Sequence, residues 1–501
     1  MVAGPRREGG ARVSGAGARG PRGGASRGGA PRGGAPRARI SAARLVAYDV
    51  LRDVEERDAY ANLALSARIG DAGLAARDAA LATELAAGAL RWRGRYDRII
   101  ELAAERPIDR IDPRTRNVLR LGVHQLLGMR TASHAAVNES VELQRRVANA
   151  SAAGFVNGVL RAIGRETDAA WDARIDAEAR TADDALAARS SHPGWVLRAL
   201  RDALRAEGRA DELEALLGAD NDAPRVSLAL LPGAGIEPEE VAAREESLAV
   251  VGPSPIGLEL SGGDPARAIA RSGAAHGFAR VQDQGSQLAA LALARAREAA
   301  AGERWLDLCA GPGGKTAVLG AEALAAGARL RANEVSAHRA ELVRRSVTGV
   351  AEAVEVVSHD GREAAAFGGD DARFDRILVD APCSGLGALR RRPEARWRKR
   401  PADLPELTAL QGELLDAAVA HLAPGGLLAY VTCSPHLAET RVAVERLRRR
   451  RPALEELDAR AVLQGIARGP LDLPEGPGAA QLWPHRHGTD AMFIALLTRA
   501  A

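Results

Sequence analysis

Cysteine, lysine and aromatic residues are scarce in this chain of 501 residues. Three cysteines, Cys309, Cys383 and Cys433, form an odd and sparse set, which excludes a disulfide framework and fits a reducing, cytoplasmic setting. Aromatic residues make up only 3% of the chain, too few for extended stacking platforms of the kind that grip single-stranded nucleic acid. No run approaches the roughly 18 apolar residues of a membrane span. The N-terminus lacks the apolar core of a secretory signal, so no membrane partner is expected. Lysine occurs only at Lys315 and Lys399 in a chain rich in arginine. Each lysine that remains therefore asks for a reason.

What is present describes a soluble multidomain protein, 46% hydrophobic and 27% charged, with a net charge of +4. The charge is uneven. Residues 1–39 hold nine Arg and one Glu, leaving 60 basic against 64 acidic residues for the rest. This tail repeats PRGGA-like units, has too few apolar groups to fold, and reads as disordered. It suits either a nonspecific arm for a polyanion or a solubilising extension. Residues 40–166 carry apolar positions at helical spacing throughout, as in ARLVAYDVLRDV and TRNVLRLGVHQLLGM, and predict an all-α bundle. A polar, Ala/Asp-rich stretch at 167–189 reads as a linker with room for a short helix. Residues 190–300 mix strand candidates (RVSLALL, GLEL) with helices, an α+β subdomain. From 301 to 501, short apolar strands alternate with amphipathic helices, the pattern of a doubly wound, Rossmann-like α/β domain.

In such sheets ligands bind beyond the carboxyl ends of the strands, so the residues after each apolar run are the ones to read. The first of these turns is Asp307-Leu308-Cys309-Ala310-Gly311-Pro312-Gly313-Gly314-Lys315-Thr316. Its glycines let a ligand approach the backbone closely at a helix N-terminus. A Walker A loop would need Gly where Cys309 stands, and no G-x-G-x-x-G fingerprint is present. Glu334 follows the second strand, placed to accept from ribose hydroxyls. Asp360 follows the third, placed to accept from an adenine amine. Carboxylates without a phosphate cradle fit an adenosyl ligand such as S-adenosylmethionine. The expected cofactor contacts are Cys309, Ala310, Gly311, Pro312, Gly313, Gly314, Lys315, Glu334, Asp360 and Asp380.

The fourth strand delivers Asp380-Ala381-Pro382-Cys383-Ser384-Gly385 and the fifth Thr432-Cys433-Ser434-Pro435. Adjacent strand ends would bring the two thiols to one cleft. Two sulfurs with only His436 nearby make a poor zinc site, so no metal is expected.

The motifs DLCAGPGGKT, DAPCSGLG and VTCSP, in this order on one sheet, resemble those of the RNA 5-methylcytosine methyltransferases. QDQGSQ before the first strand matches as well. The helical segments ATELAAGALRWRGRYDRII, VLRLGVHQLLG, AVNESVELQRR and AGFVNGVLR resemble the NusB-like RNA-binding domain. Together they resemble the RsmB (Sun or Fmu) family of 16S ribosomal RNA enzymes over nearly everything after the tail. The resemblance implies that Cys433 adds to cytosine C6 so that C5 can take a methyl group. Cys383 then assists product release, Asp380 binds the exocyclic amine and N3, and S-adenosylmethionine is the methyl donor. A helix N-terminus after Cys433 would favour its thiolate. Glu334 stands where the family usually has Asp, and RVSLALL lacks the Asn common in that strand.

The Arg-rich run LRRRPEARWRKR (389–400), just past Cys383, is expected to hold phosphates at the mouth of the cleft. An unstacked cytosine of 16S ribosomal RNA is the expected substrate of a monomer. A transfer RNA enzyme and a non-enzymatic RNA-binding or antitermination factor are the alternatives. The helical segment could equally serve docking without touching RNA.

Overall fold

The computed structural model describes residues 40–129 and 131–500; the tail at 1–39 lies outside the described residues. Seven helices open the described chain: Ala42–Glu56, Ala61–Asp71, Ala76–Arg91, Arg93–Ala104, Pro113–Val123, Ser133–Val147 and Ala153–Ile163. Their starts follow ordinary capping chemistry. The Ser41 hydroxyl accepts from Arg44 N–H, and Asp112 accepts from Thr115 N–H with Pro113 in the first turn. The apolar stripes meet in one core around Tyr48, Leu51, Leu85, Ile99, Leu119 and Leu160.

The expected linker at 167–189 is instead two helices, Asp168–Glu178 and Ala182–Arg189, capped by Thr167 and Thr181. Trp171 anchors the first in the N-terminal core, its indole N–H donating to Ile163 O at 3.2 Å. Composition misleads here because Ala and Asp also suit a short, capped helix. Helices Gly194–Arg205 and Leu213–Ala219 follow. They bury Val196, Leu200 and Leu216 against Leu386, Leu389 and Trp483 of the last domain.

The strands of the α+β segment are β1 (Val226–Leu230), β2 (Leu248–Ala249), β3 (Gly257–Leu260) and β4 (Ala279–Val281). They form an antiparallel sheet in the order β2-β3-β1-β4. The helix Gln284–Arg295 then leaves this sheet and packs into the core of the next, so the α/β layer begins before residue 301.

The larger sheet holds β5 (Arg304–Asp307), β6 (Arg329–Asn333), β7 (Val354–Val357), β8 (Phe374–Asp380), β9 (Leu422–Thr432), β10 (Leu454–Leu457), β11 (Ala480–Gln481) and β12 (Phe493–Arg499). Its order is β10-β12-β9-β8-β5-β6-β7, with β11 beside β12. Strands β5 to β9 run parallel, and β10, β11 and β12 pair antiparallel at the far edge. Apolar cores cover both faces. The order reverses between β5 and β8, and that switch point is where a ligand crevice forms.

Candidate active site

The turn after β5 is held open by hydrogen bonds from its neighbours. Ala310 N–H donates to Asn333 O at 2.8 Å, and Gly311 N–H to Glu334 Oε2 at 3.0 Å. Buried Asn333 ties the turn to the β7 end: it donates to Leu308 O (3.2 Å) and His359 O (3.1 Å) and accepts from His359 N–H (3.1 Å). A Cβ at position 311 would lie 2.2 Å from Glu334 Oε2, and Gly313 has φ +101°, so glycine is required at both positions. Below the turn Asp307 is buried, and Thr316 Oγ1 donates to its Oδ2 at 2.7 Å. Burial pushes this carboxyl up to about 7.

Glu334 is almost wholly buried and also accepts from Ser336 N–H at 3.0 Å, with Arg339 3.4 Å away. Asp360 accepts from the Arg362 side chain and backbone N–H, which hold it down to about 2. Glu334, Asp360 and Asp380 thus stand at the ends of β6, β7 and β8 around the bare backbone turn. A ligand rich in hydroxyl and amine donors fits this set. A triphosphate does not, because Lys315 is committed to Asp380, Nζ to Oδ2 at 2.8 Å. Asp380 keeps its charged partner despite burial of the lysine, whose ammonium is held above its ordinary value by that carboxylate.

Strands β8 and β9 pair in parallel with Asp380 opposite Val431, so the residues just beyond them emerge side by side. The Cys383 and Cys433 sulfurs are 3.5 Å apart and unbridged. Their surroundings shift the two thiols in opposite directions. The hydrogen bond from Cys383 lowers the Cys433 thiol against burial, with Lys315 assisting and Asp380 and Asp490 opposing. The same bond, burial and the Glu439 carboxylate push Cys383 well above its ordinary value. No helix N-terminus addresses Cys433. The next turn is a short 3-10 segment, Leu437–Glu439, whose Ala438 N–H is taken by His436 Nδ1. Cys309 lies apart from the pair, its thiol pushed up by burial and then by Asp307, Asp380 and Glu334.

The Arg-rich run does not line an open mouth. Arg391 pairs with buried Asp490, and Arg390 lies 3.6 Å from Asp490 and 3.9 Å from Asp283. Arg396 is fully buried where the N-terminal helices meet the α/β layer. It donates to Ser191 O (3.0 Å), Asn221 Oδ1 (2.9 Å), Asp220 O (3.2 Å) and Arg91 O (3.4 Å). Glu394 Oε1 accepts from Ala61 N–H at 3.2 Å, and Arg398 pairs with Asp58 at 2.8 Å. At its other end, this loop joins the site: Gly387 N–H donates to Cys433 O at 2.8 Å. A charge run looks solvated in sequence, but these arginines find carbonyls and carboxylates on distant segments.

Sequence reasoning missed Glu439, Gln411, Asn333, Asp283 and Asp490. Glu439 is fully buried and accepts from Ser384 N–H (2.8 Å), Ser384 Oγ (2.5 Å), Ser434 Oγ (2.7 Å) and Gln411 Nε2 (3.2 Å). Gln411 was the available signal, a polar residue on the apolar face of LTALQGELL. Among the described residues, no group of three or more His, Cys, Asp or Glu is placed to hold a metal ion. No helix there is long and apolar enough to cross a membrane.

Known proteins share this organisation. The sequence profile of the family described as 16S rRNA methyltransferase RsmB/F matches residues 294–498, and that of the NusB family matches 41–165. A putative methyltransferase of Mycobacterium tuberculosis is 48% identical over 459 residues, covering 90% of this chain and 95% of its own. The ribosomal RNA small subunit methyltransferase B of Erwinia tasmaniensis is 32% identical, covering 91% and 98%. The solved structure of PH0851 superposes with a TM-score of 0.73 at 23% identity, covering 92% of this chain and 100% of that one, which shows a common fold. The chain therefore belongs to the RsmB/F family of S-adenosylmethionine-dependent RNA methyltransferases, with a NusB-family domain ahead of the catalytic one.

Proposed function

We propose that this protein methylates C5 of a cytosine in 16S ribosomal RNA, in the cytoplasm, through a covalent bond between Cys433 and the base. The observation that carries this reading is the pair of sulfurs 3.5 Å apart beside the Lys315–Asp380 ion pair. Cytosine C5 is a weak nucleophile. Addition of the Cys433 thiolate to C6 breaks the C5–C6 double bond and moves electron density onto C5. Bound S-adenosylmethionine supplies an electrophilic methyl group for that carbon. A base, such as a water in the crevice, then takes the C5 proton. The C5–H electron pair restores the double bond, the C6–S bond breaks, and Cys433 leaves as a thiolate to which Cys383, held protonated in the resting pair, donates.

Asp380 accepts from the exocyclic amine of the base and from N3 when that nitrogen is protonated, which draws electron density from the ring, and Lys315 keeps its carboxylate oriented. The cofactor is held by the turn from Cys309 through Ala310, Gly311, Pro312, Gly313 and Gly314, by Glu334 at the ribose and by Asp360 at the adenine. The contact at Asp360 shares a carboxylate with Arg362, so the guanidinium must yield one oxygen or present its own edge to the ligand. The target base must leave its stack to reach sulfurs set in this crevice, so a loop or single-stranded stretch is the substrate. The NusB-family domain favours ribosomal RNA, and the enzyme acts as a monomer.

Incubation of the full chain with labelled S-adenosylmethionine and either ribosomal or transfer RNA tests the reading. Label is expected as 5-methylcytosine in 16S ribosomal RNA. Label only in transfer RNA would move the substrate, and label on another base would remove the proposed chemistry.

A further inference from the structure

Glu439 takes no part in the steps above, yet its carboxylate grips both thiol loops from behind. Ser384 follows Cys383 and Ser434 follows Cys433, and both hydroxyls donate to Glu439 Oε2. The grip is asymmetric. Glu439 Oε1 also accepts from Ser384 N–H, and Gln411 joins it to Pro382 O at 2.9 Å, directly before Cys383. Its four donors are all uncharged, so among the described residues nothing within hydrogen-bond reach neutralises it.

The remaining charges around the thiols balance differently. On the Cys433 side stand Lys315 with Asp380, and Arg391 with Asp490, two ion pairs. On the Cys383 side stand Glu439 and the neutral Tyr430, whose hydroxyl donates to Glu439 O at 2.7 Å. Two cysteines at hydrogen-bond distance are chemically equivalent until their surroundings distinguish them. An unneutralised carboxylate beside one sulfur repels a second negative charge there.

We propose that Glu439 is a positioning residue that decides which cysteine attacks: its charge keeps the shared proton on Cys383 and leaves Cys433 as the thiolate. This rests on the reading of Cys433 as the nucleophile. The carboxylate acts through the sulfurs and touches no substrate.

The test uses the full chain, whose three cysteines make peptide mapping unambiguous. Limiting iodoacetamide across a range of pH, followed by mass spectrometry, reads the thiolate at each sulfur independently of methylation. The parent protein should alkylate Cys433 well ahead of Cys383. Glu439→Gln, which keeps the side-chain shape, should lower that ratio about tenfold, the effect of one pKa unit. The double variant Ser384→Ala/Ser434→Ala removes two hydroxyl donors but keeps the charge, and should retain Cys433 first. Circular dichroism establishes that each variant folds; if Glu439→Gln does not, Glu439→Asp takes its place and should keep the parental order. Preferential labelling of Cys383 in the parent would sink the nucleophile assignment itself. A parental ratio in Glu439→Gln, a lost preference in the double serine variant, or a reversed order in Glu439→Asp would overturn the role of the charge while leaving that assignment standing.

Discussion

Replacing Arg396 by alanine removes a guanidinium enclosed between the loop that begins at Cys383 and the segments around Arg91, Ser191 and Asn221. Two opposing terms set the result. Burial without a bonded carboxylate is costly, and it lowers this guanidinium to about 10, still charged at neutral pH. Against that stand four acceptors from four residues, Arg91, Ser191, Asp220 and Asn221, at 2.9 to 3.4 Å. Alanine cannot reach any of them, and each acceptor left dry costs about 1–3 kcal/mol. Because water entering the cavity recovers part of this and the desolvation of the charge is relieved, the net loss should be about 3–5 kcal/mol, near the low end of the sum over four acceptors. Arg396→Lys keeps the charge but loses the planar fork and should fall between. Urea unfolding followed by circular dichroism, with methylation measured in parallel, reads both effects. Activity should fall with stability, because the same loop hydrogen-bonds Cys433 through Gly387. A change below about 0.5 kcal/mol, typical of an ordinary surface substitution, would refute the claim that this arginine pins its loop to the segments around Arg91, Ser191 and Asn221.

Cys433→Ala should abolish methylation while leaving S-adenosylmethionine binding intact by calorimetry; retained turnover would remove it as nucleophile. Cys383→Ala should slow release and accumulate an enzyme–RNA species that survives a denaturing gel, and normal release would return that role to another group. Asp307 holds its proton to about 7 when folded against 3.8 when exposed. The folded state therefore binds more protons between these values, and stability is lost as pH rises through that window. Asp307→Asn should remove this dependence and gain up to about 4 kcal/mol above neutrality. Parallel pH–stability curves for the two proteins would show that Asp307 ionises normally.

The alternation of short apolar strands with amphipathic helices made the second sheet legible, and with it the strand-end positions of Cys383, Cys433, Asp380 and Glu334 and the helix-start position of Lys315. That reading works because burial on both faces of a parallel strand leaves a local signature. Partner choice across the fold leaves none. Ala61 and Glu394 meet across 333 positions, and nothing around either announces the other. For the same reason the arginines of 389–400 read as open phosphate holders at the cleft, although Arg396 is enclosed. Glu439 resembles any acidic residue at the start of a helix until the fold brings two serines and a glutamine onto it. Asp360 stands just past β7, where the strand pattern puts it, but that pattern does not distinguish a free carboxylate from one paired with Arg362, two residues on.

The most direct measurement is mass spectrometric mapping of the protein–RNA bond formed on ribosomal RNA carrying 5-fluorocytosine, whose fluorine cannot leave as the C5 proton does. With S-adenosylmethionine present, the account predicts a stable adduct carried on the peptide containing Cys433. An adduct on Cys383, or methylation of ordinary RNA with no adduct on the fluorinated one, would contradict it.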